Sequence, residues 1–125
     1  MRHFIRRHHI SFLHAWDGIK WALTTQPNFK VHTALAAVAL FLGFFLDISY
    51  VEMTILVLTI VFGLGVEMVN TSIEAMTDLI TAEWKTQAKI AKDVSAGMML
   101  VTAFGTILVG GLIFLPRIWQ LIFSY

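Results

Sequence analysis

Hydrophobic residues in this chain form three long runs separated by short polar stretches. The runs cover residues 31–48, 53–66 and 96–115. The third has twenty residues without a charged side chain, and twenty residues of α-helix rise about 30 Å, the thickness of the hydrocarbon core of a bilayer. The pattern predicts transmembrane helices over about 29–47, 51–81 and 86–115, with Pro116 ending the third.

The residues before the first run have a mixed pattern. Large apolar side chains such as Trp16 and Trp21 are interspersed with basic ones such as Arg7 and Lys20. This mixture predicts an amphipathic helix over about 10–24 that lies in the headgroup layer, with basic side chains on anionic lipid. A fourth helix packed into the bundle is the alternative.

Composition supports a membrane protein. Of the 125 residues 58% are hydrophobic and only 14% charged, whereas about 25% are charged in typical soluble domains. The absence of cysteine excludes disulfides and thiolate metal sites. We therefore expect one all-α integral membrane domain over 1–125, with three transmembrane helices and an N-terminal surface helix. Pro27 is expected to separate the surface helix from the first transmembrane helix.

Basic residues are distributed unevenly between the two sides of this three-helix arrangement. Arg117 follows the third run, and the other eight Lys and Arg residues fall on the opposite side, namely Arg2, Arg6, Arg7, Lys20, Lys30, Lys85, Lys89 and Lys92. The side rich in Lys and Arg is normally cytoplasmic. The sequence thus predicts a cytoplasmic-membrane protein with its N-terminus inside and its C-terminus outside.

Two carboxylates and an amide follow the second run. Glu67, Asn70 and Glu74 fall within about 60° of each other on one helix face. A charged group in a membrane helix costs about 2.5–3.5 kcal/mol on insertion scales, so such groups usually mark a functional site. Asp78 extends the same stripe, either as part of the site or as a charge facing water.

Further polar residues are expected at the same membrane depth. They are Gln26, Asn28, Lys30, His32, Lys85, Lys89, Lys92 and Asp93. Magnesium binds one or two carboxylates together with phosphate oxygens, lysines neutralise a transferring phosphoryl group, and a carboxylate can accept the proton of an attacking hydroxyl. The chain contains no Walker loop and no G-x-G-x-x-G motif. The residues indicate a magnesium–phosphate substrate bound without a glycine-rich loop.

Three stretches carry a family resemblance. Residues 67–78, EMVNTSIEAMTD, match the pattern E-x-x-N-[ST]-x-[IV]-E-x-x-x-D, and residues 88–97, AKIAKDVSAG, match A-K-x-A-K-D-x-x-A-G. Residues 28–32, NFKVH, look like the N-F-[RK]-x-H form of the Gram-positive, undecaprenol-type branch. Over roughly residues 12–116 the chain resembles the prokaryotic diacylglycerol kinase and undecaprenol kinase family of small integral membrane kinases.

The resemblance implies an ATP- and magnesium-dependent lipid kinase. The expected assembly is a homotrimer with active sites at protomer contacts, and no nucleic acid is expected as a partner. The enzyme would transfer the γ-phosphoryl group of ATP to a lipid hydroxyl at the cytoplasmic membrane face. Residues 28–32 favour undecaprenol as the lipid, with diacylglycerol as the alternative.

The resemblance also assigns roles to individual residues. Glu67 would be the general base, and Asn70 would orient Glu67 or bind the lipid substrate with it. Glu74 would bind magnesium and ATP, Lys92 would contact the phosphates, and Asp93 would contact the nucleotide.

Three further assignments concern the nucleotide and the metal. His14 falls where the family contacts the nucleotide. Gln26 stands where the best-known members carry a second metal-binding glutamate, and its amide oxygen is a weaker magnesium ligand. Lys85 stands near the nucleotide at a position that is usually histidine. Metal affinity and the level of activity depend on these two departures.

Two other functions fit the residues. In a small ion- or proton-conducting oligomer, Glu67 and Glu74 would line the path, but such a path does not need Lys92 and Asp93. A kinase-like protein that binds lipid or nucleotide without turnover would be consistent with Gln26.

Overall fold

The computed structural model describes residues 2–81 and 83–123, with side chains from Ser11 onward. These residues form four helices, which are α1 (Arg2–Thr25), α2 (Pro27–Phe45), α3 (Tyr50–Ile80) and α4 (Thr86–Phe123). There is no strand in these ranges, so the all-α prediction is confirmed. The helices α2, α3 and α4 are each long and apolar enough to cross a membrane, which confirms the three transmembrane helices.

The helix α3 lies at the centre of the arrangement. It packs against both α2 and α4, while α1 packs against α2. Little of this surface is buried within the chain, and large apolar side chains such as Phe41 (68%) and Phe104 (64%) remain exposed. Water-soluble proteins rarely expose contiguous apolar surface on this scale. The surroundings of α2–α4 are therefore lipid or other apolar protein surface.

The helix α1 begins earlier than the predicted range of 10–24. Its apolar residues Phe12 and Trp16 are exposed, as are the polar residues His14 and Asp17. An exposed amphipathic helix of this kind suits the membrane–water interface. It ends at Thr25.

The turn between α1 and α2 follows from proline chemistry. Gln26 is extended, with φ −94° and ψ 110°, and Pro27 is the first residue of α2. Proline lacks a backbone N–H, which a residue in the first helical turn does not need, and it disfavours a helical conformation at the preceding residue. This confirms the predicted break before the first transmembrane helix.

The end of α2 is closed by backbone hydrogen bonds around Asp47. Its φ is 48°, in the left-handed region that ends many helices. The amide of Ile48 donates to the carbonyl of Gly43 over 3.1 Å, and that of Asp47 donates to Phe44 over 3.3 Å. A Cβ at Gly43 would meet the ends of Ile48 and Met53 at 3.0 Å. Glycine therefore permits the chain to turn tightly back onto α2.

The start of α3 is capped by Ser49 and tied to α4. The Ser49 amide donates to Glu52 Oε2 over 2.9 Å, and the Glu52 amide donates to Ser49 Oγ over 3.3 Å, which is a capping box. Arg117 on α4 donates from Nη1 to Glu52 Oε1 (2.7 Å) and from Nη2 to Oε2 (2.6 Å). The two longest helices are thereby joined at one end.

The prediction that Pro116 ends the third transmembrane helix is wrong, because α4 continues to Phe123. Proline removes one backbone donor from the turn it occupies. In the same turn the Arg117 side chain donates from Nη1 to the Ile113 carbonyl over 3.0 Å. The same side chain is bonded to Glu52, so the turn that follows Pro116 is tied to α3.

Candidate active site

Glu67 is the most deeply buried carboxylate of the site. It lies about 25 Å along α3 from Tyr50 at 1.5 Å per residue, in a helix about 46 Å long. The side chain is 2% exposed, and its Oε2 atom has no hydrogen-bond partner in the described part of the chain. A buried carboxylate oxygen without a partner is destabilising. Such an atom is expected where a ligand or substrate completes the site.

Asn70 links two polar side chains, one on α3 and one on α4. Its Nδ2 donates to Glu74 Oε1 over 2.9 Å, and its Oδ1 accepts a hydrogen bond from Ser95 Oγ on α4. Asn70 and Ser95 are both buried, at 6% and 3% exposure. Because both ends of the amide are engaged, its orientation is fixed, and one oxygen of Glu74 is fixed with it.

Ser95 was not predicted as a site residue. It follows Lys92 and Asp93 by less than one helical turn and directly precedes the apolar run 96–115. A small hydroxyl residue at a helix contact in a membrane commonly bonds a polar partner on the facing helix. A serine at this position therefore indicates a contact between helices, but the sequence alone does not identify Asn70 as the partner of Ser95.

Glu67, Asn70 and Glu74 line a common cavity of about 400 Å³. Its polar lining comes from Asn28 and His32 on α2 and from Glu67, Asn70 and Glu74 on α3, and its apolar lining comes from Ala96, Met99, Leu100 and Ala103 on α4. The predicted stripe on α3 thus meets the polar start of α2, as the sequence pattern indicated. One wall is polar and the other apolar, which suits an amphiphilic substrate.

A second, more polar cleft of about 530 Å³ lies beyond Glu74. It is lined by the end of α3, the connection and the start of α4, with Thr77, Asp78, Thr81, Glu83, Trp84, Lys85, Ala88, Lys89, Lys92 and Asp93. Asp78 lies one helical turn after Glu74, so the cleft and the cavity follow the same face of α3. Lys85, Lys92 and Asp93 therefore lie together, as the sequence predicted.

The charged residues of this cleft pair with each other. Lys92 on α4 pairs with Asp78 on α3, and Lys89 pairs with Asp93 one turn along α4. Lys85 lies 4.0 Å from Glu83. All of these side chains are well exposed, and exposed ion pairs contribute little to stability. The lysines of the cleft can therefore exchange their present partners for an anionic ligand, and the carboxylates can exchange theirs for a cation.

Two predicted residues lie apart from the cavity. Gln26 donates from Nε2 to Thr25 Oγ1 over 3.4 Å and does not line either space. His14 is exposed on α1 and does not line them either. Within one chain, the structure therefore does not bring these two side chains to Glu74.

The donor set fits a magnesium ion that is shared with a phosphate. No group of three His, Asp or Glu side chains gathers as a metal cluster in the ranges the structure covers. Glu74 nevertheless offers a carboxylate at the cavity, with one oxygen held by Asn70. Magnesium commonly takes one or two carboxylates and completes its shell with water and phosphate oxygens.

Comparison with known proteins agrees with this arrangement. The family model for prokaryotic diacylglycerol kinase matches residues 13–114. The chain is 39% identical over 117 residues to an undecaprenol kinase of Bacillus subtilis, covering 94% of this chain and 95% of that protein.

Two further relatives are named diacylglycerol kinase. One is from Synechocystis, 34% identical over 90% of this chain, and the chain spans 65% of its length. The other is from Helicobacter pylori, 31% identical over 82% of this chain and 73% of that protein. A family model that covers most of the chain, together with relatives of this similarity, shows that the protein is a membrane kinase of the prokaryotic diacylglycerol kinase family.

Proposed function

We propose that the protein transfers the γ-phosphoryl group of ATP to the hydroxyl of a membrane lipid alcohol, with undecaprenol preferred over diacylglycerol. The observation that carries this proposal is the buried, unpartnered Glu67 oxygen beside a cleft lined by lysines. The preference for undecaprenol rests on residues 28–32 and on the similarity to the Bacillus subtilis undecaprenol kinase.

Glu67 would act on the acceptor. Its carboxylate accepts the proton of the lipid hydroxyl while the hydroxyl oxygen forms a bond to the γ-phosphorus. The bond from that phosphorus to the bridging oxygen breaks, and ADP leaves with the electron pair. Asn70 is fixed by Ser95 and Glu74, and it would position the lipid hydroxyl relative to the carboxylates of Glu67 and Glu74.

The lysine-lined cleft would bind the nucleotide. Lys92 would exchange Asp78 for phosphate oxygens, and Asp93 and Lys85 would contact the rest of the nucleotide. The cleft adjoins the Glu67 cavity along α3, so donor and acceptor would meet between them. Phosphoryl transfer depends mainly on such positioning and on neutralisation of charge.

Glu74 would hold magnesium, and Gln26 of a neighbouring copy would be a further oxygen ligand. When bound, the ion would neutralise charge on the phosphates during transfer. The carboxylate of Glu74 is already oriented by Asn70 over 2.9 Å.

The polar groups would lie at the cytoplasmic face of the inner membrane, with the N-terminus inside and the C-terminus outside. The excess of Lys and Arg on the side of Glu67 supports this orientation. ATP is available on that side, and the acceptor is held in the adjoining leaflet.

A homotrimer with sites between protomers would complete the site. Only 6% of the residues in the most apolar stretch of α4 are buried, which leaves its apolar surface available to neighbouring copies. His14 does not reach the cavity of its own chain. In a trimer, His14 and Gln26 of a neighbouring copy would be available to the nucleotide and the metal.

The test is phosphorylation of short-chain undecaprenol and of diacylglycerol by the purified protein in mixed micelles with ATP and saturating magnesium. We expect both lipids to be phosphorylated, with the higher kcat/KM for the polyprenol. A higher kcat/KM for diacylglycerol would overturn the assigned acceptor. No phosphorylation of any lipid alcohol would overturn the kinase reaction itself and favour an ion-conducting or binding protein.

A further inference from the structure

His32 occupies the one position shared by two neighbouring cavities. It lines the polar cavity with Glu67 and Asn70, and it also lines a separate groove of about 240 Å³ between α2, α3 and α4. No other lining residue is common to both spaces. The half-buried imidazole therefore marks the junction between the polar site and the groove.

The groove is apolar along its length. It extends about 12 Å beside α3, from Leu56 to Leu64, at 1.5 Å per residue. Two threonines line it, but Thr59 Oγ1 donates to the Ile55 carbonyl over 2.8 Å and Thr106 Oγ1 to the Thr102 carbonyl over 3.0 Å. Their hydroxyls are thus satisfied within their own helices, and the groove suits a hydrocarbon chain.

The groove is also narrow. Small residues line much of it, including Ala36, Ala39, Gly63 and Gly110. Its volume lies below the roughly 300–1,000 Å³ of pockets that enclose drug-sized molecules. One slender chain fits such a space, whereas two acyl chains joined to one headgroup would need room outside it.

The two polar groups at the junction have complementary hydrogen-bonding capacity. In the described part of the chain, no hydrogen bond or ion pair involves the His32 ring, to Glu67 or to any other residue. Glu67 Oε2 lacks a partner as well. A neutral imidazole can donate one hydrogen bond, a carboxylate can only accept, and a hydroxyl does both. A lipid hydroxyl placed between them would satisfy both groups.

We propose that His32 is the positioning and specificity-determining residue for the acceptor: it donates a hydrogen bond to the hydroxyl oxygen of a single-chain lipid alcohol whose tail lies in the α2–α3–α4 groove. This inference rests on the proposed function. The contact leaves the hydroxyl proton directed at Glu67, which accepts it as the oxygen–phosphorus bond forms and ADP departs. A two-chain alcohol would reach Glu67 from the surrounding lipid, without the contact to His32.

The experiment compares His32→Leu, which removes the donor, with His32→Gln, which retains one. Val38→Ala is the control, since Val38 is 55% exposed on the same helix and lines neither space. Each variant is assayed for kcat and KM with short-chain polyprenol, with diacylglycerol and with ATP.

We expect His32→Leu to lower kcat/KM for the polyprenol about tenfold, as for loss of one positioned hydrogen bond. The kcat/KM for diacylglycerol should change less than about threefold, and the KM for ATP should stay constant. His32→Gln should recover most of the polyprenol activity, and Val38→Ala should match the wild type.

Equal losses on both acceptors, a change in the KM for ATP, or a His32→Gln variant as impaired as His32→Leu would overturn the role of His32 while leaving the kinase reaction intact. Absence of lipid phosphorylation by the wild type would overturn the proposed function, and this inference with it.

Discussion

Ser95 on α4 donates a hydrogen bond to the side-chain oxygen of Asn70 on α3, and the nitrogen of the same amide donates to Glu74 over 2.9 Å. One amide thus connects the facing helix to a carboxylate assigned to the metal and nucleotide. The contact is buried on both sides. The geometry of the site therefore depends on the packing of α4 as well as on the residues of α3.

Ser95→Ala should lower kcat about tenfold with a smaller change in the KM for ATP. The substitution leaves the buried Asn70 oxygen without a donor, which costs about 1–3 kcal/mol, and frees the amide to turn away from Glu74. Steady-state kinetics would measure the effect. Ser72→Ala is the matched control, because Ser72 is exposed and donates only to the Met68 carbonyl. Equal kinetics for both variants would count against a positioning role for Ser95.

Lys92→Gln should raise the KM for ATP about tenfold or more. Among the described residues the lysine pairs with the exposed Asp78 alone, so its charge is available to phosphate oxygens. Charge-assisted bonds of this type are among the strong ones. Lys20→Gln, an exposed lysine on α1, provides the control. An unchanged KM for ATP in Lys92→Gln would show that this ion pair is only structural.

Substitutions at Glu74 and Gln26 should shift the magnesium dependence in opposite directions. Glu74→Gln should raise the magnesium concentration needed for half-maximal activity at least about tenfold, because an amide binds magnesium more weakly than a carboxylate. Gln26→Glu should lower it, since a charge is added at a proposed oxygen ligand. If Gln26→Glu instead needs a higher magnesium concentration for half-maximal activity, Gln26 is not a ligand of the metal.

Arg117→Ala should lower thermal stability by a few degrees and leave kcat/KM within about twofold of the wild type. The guanidinium makes two bonds of 2.6 and 2.7 Å to Glu52 and one of 3.0 Å to the Ile113 carbonyl, at the end of the molecule away from Glu67. Arg117→Lys keeps the charge but not the planar two-bond geometry. Its thermal stability should therefore lie between those of the wild type and Arg117→Ala. Thermal inactivation in detergent would rank the stabilities of the wild type and the two variants. A large loss of activity without a loss of stability would contradict this assignment.

The sequence predicted the parts of the fold and of the site that local patterns determine. Hydrophobic runs gave the three membrane helices, and helical spacing placed Glu67, Asn70 and Glu74 on one face, where the structure also has them. The break before Pro27 likewise follows from the chemistry of one residue.

The features that the sequence did not predict depend on distant partners. The continuation of α4 past Pro116 accompanies a contact between Arg117 and Glu52, which are 65 positions apart. The role of Ser95 depends on Asn70, which is 25 positions away. Lys92 likewise pairs with Asp78 on the facing helix, a contact that spacing along α4 does not predict. Such pairings are set by helix packing, which a periodic pattern does not specify.

The central claim is that the buried Glu67 carboxylate accepts the proton of a lipid hydroxyl. The most direct measurement compares wild-type protein with Glu67→Gln for ATP-dependent phosphorylation of short-chain undecaprenol, alongside nucleotide binding by each. We predict that Glu67→Gln lowers kcat at least about a hundredfold, as for loss of a general base, while nucleotide binding changes less than about threefold. Retention of most of the turnover in Glu67→Gln would contradict the account.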